Sequence, residues 1–312
     1  MDRLSFYATR QIPFFFLIDY KKRHIFVEPI QNLHNVFFQV PGFANYTPQR
    51  AYAKILAKDP IPFERYEEAF KEVQRQIHQG NTYLLNLTFP TPIWCEGSLR
   101  DIFFATNAPF KLYFQDRFVC FSPERFVRIA GDRIHTFPMK GTIDASLPDA
   151  KERILSDPKE MAEHTMVVDL LRNDLNMVAS RVQVRKFRYI DHIRSHNKEL
   201  LQVSSHIEGI LPCDWPKRLG EIFDQLLPAG SITGTPKRST CEIIERVEGY
   251  ERGYYTGIFG YFDGKNLESG VMIRFIESQK NGFVYKSGGG ITADSDAKRE
   301  YQELIDKIYL PL

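Results

Sequence analysis

Between residues 82 and 138 the chain runs through five short apolar stretches, 82–89, 110–114, 117–121, 124–130 and 133–138. They are rich in Tyr, Phe, Leu and Val and punctuated by Gly, Pro and Asp. Segments of this length and composition are strands, and this many in succession oblige the chain to build sheet. The stretch before them has the other period: from Pro62 to Gln79, apolar Phe63, Tyr66, Phe70, Val73 and Ile77 recur at helical spacing, with Gly80 as a stop. Runs at 12–18 and 24–30, separated by a polar Asp19 to Arg23, predict a hairpin. Further strands are expected at 204–210, 254–262 and 267–277, the last two joined at Asp263-Gly264-Lys265-Asn266, and helices at 215–227 and from Ala297 to Ile308. Between Gly42 and Pro62, three prolines break any long element, so a connection with a short helix near 49–58 is expected. That connection is the best domain boundary, dividing a short β-rich segment, 1–61, from a larger domain, 62–312.

With 312 residues and 43% hydrophobic content, the chain can bury a large core as one big domain or two ordinary ones. A net charge of +2, from 41 basic and 39 acidic residues, gives no electrostatic case for nucleic acid or an anionic membrane. Cys95, Cys120, Cys213 and Cys241 are far apart with no C-x-x-C pair, which argues against a zinc site and for reduced thiols in a cytoplasm. The apolar run from Ile12 to Ile18 is interrupted by Pro13 and too short to span a bilayer, and no signal-peptide cleavage site follows it.

The β-rich stretch leads into Pro138-Met139-Lys140-Gly141-Thr142, where a proline and a glycine flank a Lys at a strand end, a place to present an amine. Sixteen residues earlier, Ser122-Pro123-Glu124-Arg125-Phe126 offers a carboxylate that a hairpin could return to the same neighbourhood. The plain alternatives are a solvated Lys and a surface Glu paired with Arg125 or Arg128.

The stretch from Lys159 through Asp174 belongs to a helix marked by Val168, Leu171, Leu175 and Val178 on its buried stripe. Glu160 and Glu163, three apart, share a face, and so do Glu300 and Glu303 on the last helix. Two acidic pairs could meet across one pocket and hold a hard divalent cation such as Mg²⁺; solvated acidic faces, with Glu303 paired to Lys307, are the other reading. The loop Pro228 to Lys237 precedes a helix that Thr235 can cap, with Pro236 at its first position. Such an end suits a small anion, whereas the spacing is not that of a nucleotide-binding loop. Arg274, inside the apolar run Val271 to Ile276, would need an anionic partner if buried, or water at a sheet edge. Gly288, Gly289 and Gly290 permit a close backbone approach to a ligand or form a loose turn.

In order, SPERF, PMKGT, the E-x-x-E-H…VDLLRND helix, GSITGTPK, YYTGIFGYF, VMIR and GGGITADS…E-x-x-E resemble the chorismate-utilising enzymes over roughly residues 62 to 309. The Lys of PMKGT resembles the branch that aminates chorismate at C4, component I of aminodeoxychorismate synthase. Enzymes making anthranilate generally carry Ala there. The resemblance implies an α/β (α+β) fold of two large β-sheets packed on one another, helices outside and the site between the sheets, with 62–312 the chorismate-binding catalytic domain. It implies Glu124 as acid and Lys140 as nucleophile or electrostatic anchor, and Glu160, Glu163, Glu300 and Glu303 as the Mg²⁺ region. Gly141, Thr142, Ser231, Lys237, Tyr255, Arg274 and the Gly288–Gly290 loop would contact the substrate carboxylates.

The implied reaction takes chorismate and ammonia to 4-amino-4-deoxychorismate, toward p-aminobenzoate and folate. No glutaminase segment is legible, so ammonia would come from a separate glutamine amidotransferase subunit. Two departures stand out. Gln202 occupies the position where many relatives place a His associated with pyruvate elimination, which fits release of the aminated product intact, and no tryptophan-binding leucine-leucine-glutamate-serine motif is present. Anthranilate or isochorismate synthesis is the alternative chemistry, and a non-catalytic chorismate-binding subunit the alternative class.

Overall fold

Phe14 to Ile18 are buried without a break, the mark of a strand covered on both faces. The computed structural model, which describes residues 1–195, 198–280 and 282–312, shows what covers them. Helix α1 (Asp2–Thr9) precedes strands β1 (Phe14–Ile18), β2 (Ile25–Pro29), β3 (Val36–Val40), β4 (Phe43–Ala44) and β5 (Lys54–Lys58). Helix α2 (Phe63–His78) leads into β6 (Leu84–Glu96), α3 (Leu99–Ala105), β7 (Phe110–Phe114), β8 (Phe118–Ser122), β9 (Arg125–Ala130), β10 (Arg133–Thr136) and β11 (Met139–Asp144). Then come α4 (Ala150–Ser156), α5 (Pro158–Val178), β12 (Ser180–Ser195), β13 (Lys198–Ile210) and α6 (Leu219–Leu226). The chain closes with β14 (Gly234–Thr235), α7 (Lys237–Glu248), β15 (Ile258–Phe262), β16 (Leu267–Val271), β17 (Phe275–Gln279), β18 (Gly282–Ile291) and α8 (Ala297–Asp306).

These strands form two antiparallel sheets. The first has the order β11-β13-β10-β9-β16-β15-β1-β2 with β12 on β13. The second has the order β14-β6-β18-β17-β8-β7-β3-β4 with β5 on β6. In β1 the alternation of side chains decides the packing. Phe14, Phe16 and Ile18 join a core with Leu175 of α5 and Phe223 of α6, while Phe15 and Leu17 pack on Phe38, Phe110 and Leu112 of the second sheet. Each such side chain stabilises the fold by about 1.5–3 kcal/mol, so β1 fastens the helical layer to one sheet and that sheet to the other. Helices α2, α7 and α8 cover β6 and β18 through Tyr66, Phe70, Ile243, Leu85, Ile291 and Leu304. The architecture is the mixed one that the resemblance implied, with two large packed sheets and helices outside. Residues before 62 contribute to both sheets. Among the described residues no helix is long and apolar enough to cross a membrane.

Four local expectations are corrected. The stretch 49–58 holds no helix: Lys54–Lys58 is a strand on β6, which continues past Pro90 and Pro92 to offer it an edge, and sheet pairing overrides a weak local preference. The expected strand 267–277 is two strands in different sheets, β16 and β17, with Arg274 at the crossover in a left-handed conformation (φ +53°). Thr235 does not cap α7, because its extended backbone pairs with Leu84 in β14; Pro236 takes the cap position, without a side-chain bond. Gly288, Gly289 and Gly290 are in β18, paired with Thr88, Leu87 and Asn86, and not in a loop. A Cβ at Gly288 would collide with the Leu87 carbonyl, so glycine is there to let two strands approach closely.

Candidate active site

A pocket opens where the first sheet, the second sheet and α5 meet, and Lys140 and Glu124 both line it. Lys140 is the second residue of β11, held beside β13. The next residue explains the glycine: Gly141 has φ +89°, and a Cβ there would run into the carboxylate of Glu160. The positive φ favours glycine, and its bare Cα leaves the Glu160 carboxylate room against the strand. That turn is set by Asp157, whose side chain accepts from the Glu160 N–H at 3.0 Å, and by Pro158 at the first helical position. Behind the segment, His164 bonds Ser205 Oγ at 2.7 Å, and the Ser205 N–H donates to the Pro138 carbonyl at 2.9 Å.

The ammonium of Lys140 pairs with Glu163 at 2.9 Å, its side chain 32% exposed. Burial alone would lower its pKa, but Glu163, Glu303 and Glu160 outweigh burial and raise it. With these carboxylates free of metal, the ammonium is favoured over the neutral amine that a nucleophile requires. Burial, and then Glu163, pushes the Glu160 carboxyl above the usual range, and Glu160 Oε2 is buried with no hydrogen-bond partner. On α8, Asp296 caps the helix, Ser295 donates to Glu300 at 2.8 Å, and Lys307 pairs with Glu303 at 2.6 Å. Burial and Glu303 raise Glu300; burial acts on Glu303 too, but Lys307 and Lys140 bring it below the usual value. Glu300 and Glu303 both come against Gly289, where a Cβ would stand 3.4 Å from an oxygen of each. Both acidic pairs act on Lys140, although no three of the four carboxylates offer oxygens within 4.8 Å of one another. An orphaned buried oxygen in an all-carboxylate donor set is a place where a hard divalent cation fits.

Across the pocket, Ser231 Oγ donates to Glu124 Oε1, while Arg125 and Arg128 pair with Glu268 and leave Glu124 to the pocket. Burial raises the Glu124 carboxyl against the opposing pull of Ser231 and Lys307, favouring the protonated form a general acid needs. Ser231 lies on a short 3-10 turn, Gly230–Ile232, packed on α5, where Asp174 pairs with Lys237 at 3.0 Å.

Other predicted residues lie elsewhere. Lys237 spends its ammonium on Asp174 and the Leu226 carbonyl, at 2.9 Å, outside the pocket lining. Thr142 is exposed and pairs with Gln202 in the sheet. Tyr255 is buried against Phe275, and Arg274 lies over the ring of Tyr309 at 4.5 Å. Lys307, Asn86 and Asp174 line the pocket and were not singled out as site residues. The spacing of Lys307 four residues after Glu303 was the available signal, but it read as a surface pair.

Comparison with known proteins bears on the family and the fold. The family described as chorismate binding enzyme matches residues 30–312, beginning further upstream than the motifs alone indicated. A PabA-like protein of Haemophilus influenzae is 50% identical over the whole chain and 96% of its own length. Aminodeoxychorismate synthase component 1 of Escherichia coli is 32% identical over 78% of this chain, which spans 56% of that protein. Among solved structures, anthranilate synthase component I of Streptococcus pneumoniae superposes with TM-score 0.69 at 26% identity, covering 82% of this chain and 59% of its own. The isochorismate synthase MenF of Escherichia coli, at 17% identity, shares the fold with TM-score 0.68 over 98% of this chain and 90% of its own. This chain belongs to the chorismate-binding enzyme family.

Proposed function

We propose that the chain aminates chorismate at C4, giving 4-amino-4-deoxychorismate toward p-aminobenzoate, with ammonia supplied by a separate glutamine amidotransferase subunit. The observation that carries the reading is Lys140, paired with Glu163 and lining one pocket with Glu303 and the hydrogen-bonded Glu124 and Ser231. Its resemblance to the C4-aminating branch and the 32% identical aminodeoxychorismate synthase component 1 support it.

Glu160, Glu163, Glu300 and Glu303 would hold Mg²⁺, which supplies positive charge for the ring carboxylate of the substrate. Glu124 gives its proton to the C4 hydroxyl, which leaves as water. Lys140, after passing its proton to its ion-pair partner Glu163, which returns it when the amine is released, attacks C2 through Nζ as the two ring double bonds shift toward C4. Ammonia then bonds to C4, the double bonds shift back, the C2–N bond to Lys140 breaks, and the surplus proton returns to Glu124. A second role for Lys140 is favoured by its ion pair with Glu163: an ammonium that binds the substrate anion without bonding to it. Intact-protein mass after mixing with chorismate and Mg²⁺ in the absence of ammonia separates the two, since only the covalent route leaves an adduct on Lys140.

The reading is tested by identifying the product from chorismate, Mg²⁺ and an ammonium salt, beside Lys140→Ala. Aminodeoxychorismate from the unaltered chain and its loss on substitution are expected. Anthranilate or isochorismate as product would overturn the assignment.

A further inference from the structure

Outside this pocket, one cluster of side chains among the described residues is arranged as ligands. His135 on β10 is the cross-strand partner of Glu208 on β13, and His206, two residues back, shares their face. His135 Nδ1 stands 3.0 Å from His206 Nε2 and 3.8 Å from Glu208 Oε2, and one ligand atom from each of the three lies within 4.8 Å of the others. We infer that His135, His206 and Glu208 form a second metal site, for Zn²⁺ or a divalent cation of its class.

In a tetrahedral site with bonds of about 2.05 Å, ligand atoms are roughly 3.3 Å apart, so the two ring nitrogens already stand near that separation. Burial lowers both imidazoles, which keeps them neutral with a lone pair to give. Arg133 and Arg185 occupy Glu208 Oε1, at 2.6 and 3.4 Å, leaving Oε2 turned to the rings. Those arginines, with Arg128 and Lys186 close to the rings, repel any ion held by charge alone. The site therefore selects a metal that bonds to imidazole over Mg²⁺. Phe137 stacks on His206 with centroids 4.7 Å apart and planes 4° from parallel, and so fixes that ring. Phe137 also lines the Lys140 pocket, so the metal would brace the wall that carries the reactive amine. Three protein ligands leave a fourth position for water.

The test is Zn²⁺ binding by the full chain, stripped of metal and kept in excess Mg²⁺ so that the carboxylates around Lys140 are not free to take zinc. One Zn²⁺ per chain is expected in the unaltered protein, loss of that equivalent in His206→Asn and His135→Asn, and at least about tenfold weaker binding in Glu208→Gln. No bound zinc, or equal binding by the histidine variants, overturns the site and points to a plain hydrogen bond between two imidazoles. Co²⁺ added to the unaltered protein needs no variant: strong visible bands of a four-coordinate ion support the site, and only the pale six-coordinate spectrum overturns it.

Discussion

Arg252 and Glu248 form an ion pair with both side chains 1% exposed, and its loss should be strongly destabilising. The guanidinium donates to both Glu248 oxygens, at 2.8 and 2.6 Å, to the Ile232 and Asn86 carbonyls at 3.1 and 2.7 Å, and to Thr256 Oγ1 at 3.3 Å. Ile232 follows Ser231 and Asn86 lines the pocket, so Arg252 ties the turn that serves Glu124 to the second sheet. Arg252→Met keeps most of the volume, strands the Glu248 carboxylate and leaves two carbonyls unpaired. Removing one partner of a buried pair costs about 3–5 kcal/mol, a large part of the roughly 5–15 kcal/mol that holds a domain together. Adding Glu248→Gln, which can still accept from Thr88, removes the stranded charge and should recover about 2 kcal/mol. Urea unfolding followed by circular dichroism reads both values. A cost below about 1 kcal/mol for the single variant, or a double variant no more stable than the single, would refute the reasoning.

Gly141→Ala forces a left-handed backbone on alanine and drives its methyl into Glu160; it should cost about 1–3 kcal/mol and raise the Mg²⁺ concentration needed for turnover, read by denaturation and by metal titration. Because burial raises Glu124, activity that depends on its proton should persist above the ordinary carboxylate range and fall as pH rises through its pKa. Ser231→Ala removes a bond to the charged form, so that alkaline limb should move to higher pH; a profile of kcat/KM against pH that does not move, or moves down, contradicts the assignment. Glu300→Gln should weaken Mg²⁺ activation at least tenfold while leaving the fold intact, as measured by activity against Mg²⁺ concentration and by thermal unfolding.

Much of the site was legible because its parts sit at fixed spacings on single elements. Glu160 and Glu163 share one helical turn, Glu300 and Glu303 another, and Lys140 sits between a proline and a glycine after a run of strands. What joins these parts is tertiary. Nothing in the apolar run around Arg274 shows that the chain leaves one sheet there and enters the other, because hydrophobicity is the same on both sides of the crossover. Asn86, Asp174 and Lys307 reach the pocket from strand, helix and C-terminal turn, each with a pattern equally natural at a surface. Nothing in the sequence marks strand β12: its charged residues, Arg181, Arg185 and Lys186 among them, reflect an exposed face that gives no strong alternation.

The most direct test of the account follows the nitrogen. With ¹⁵N-labelled ammonium, chorismate and Mg²⁺ supplied to the purified chain, nuclear magnetic resonance of the product shows which ring carbon carries the label. The account predicts ¹⁵N on C4 with the enolpyruvyl ether retained. Label on C2, or a hydroxyl at C2 with no label incorporated, would contradict it.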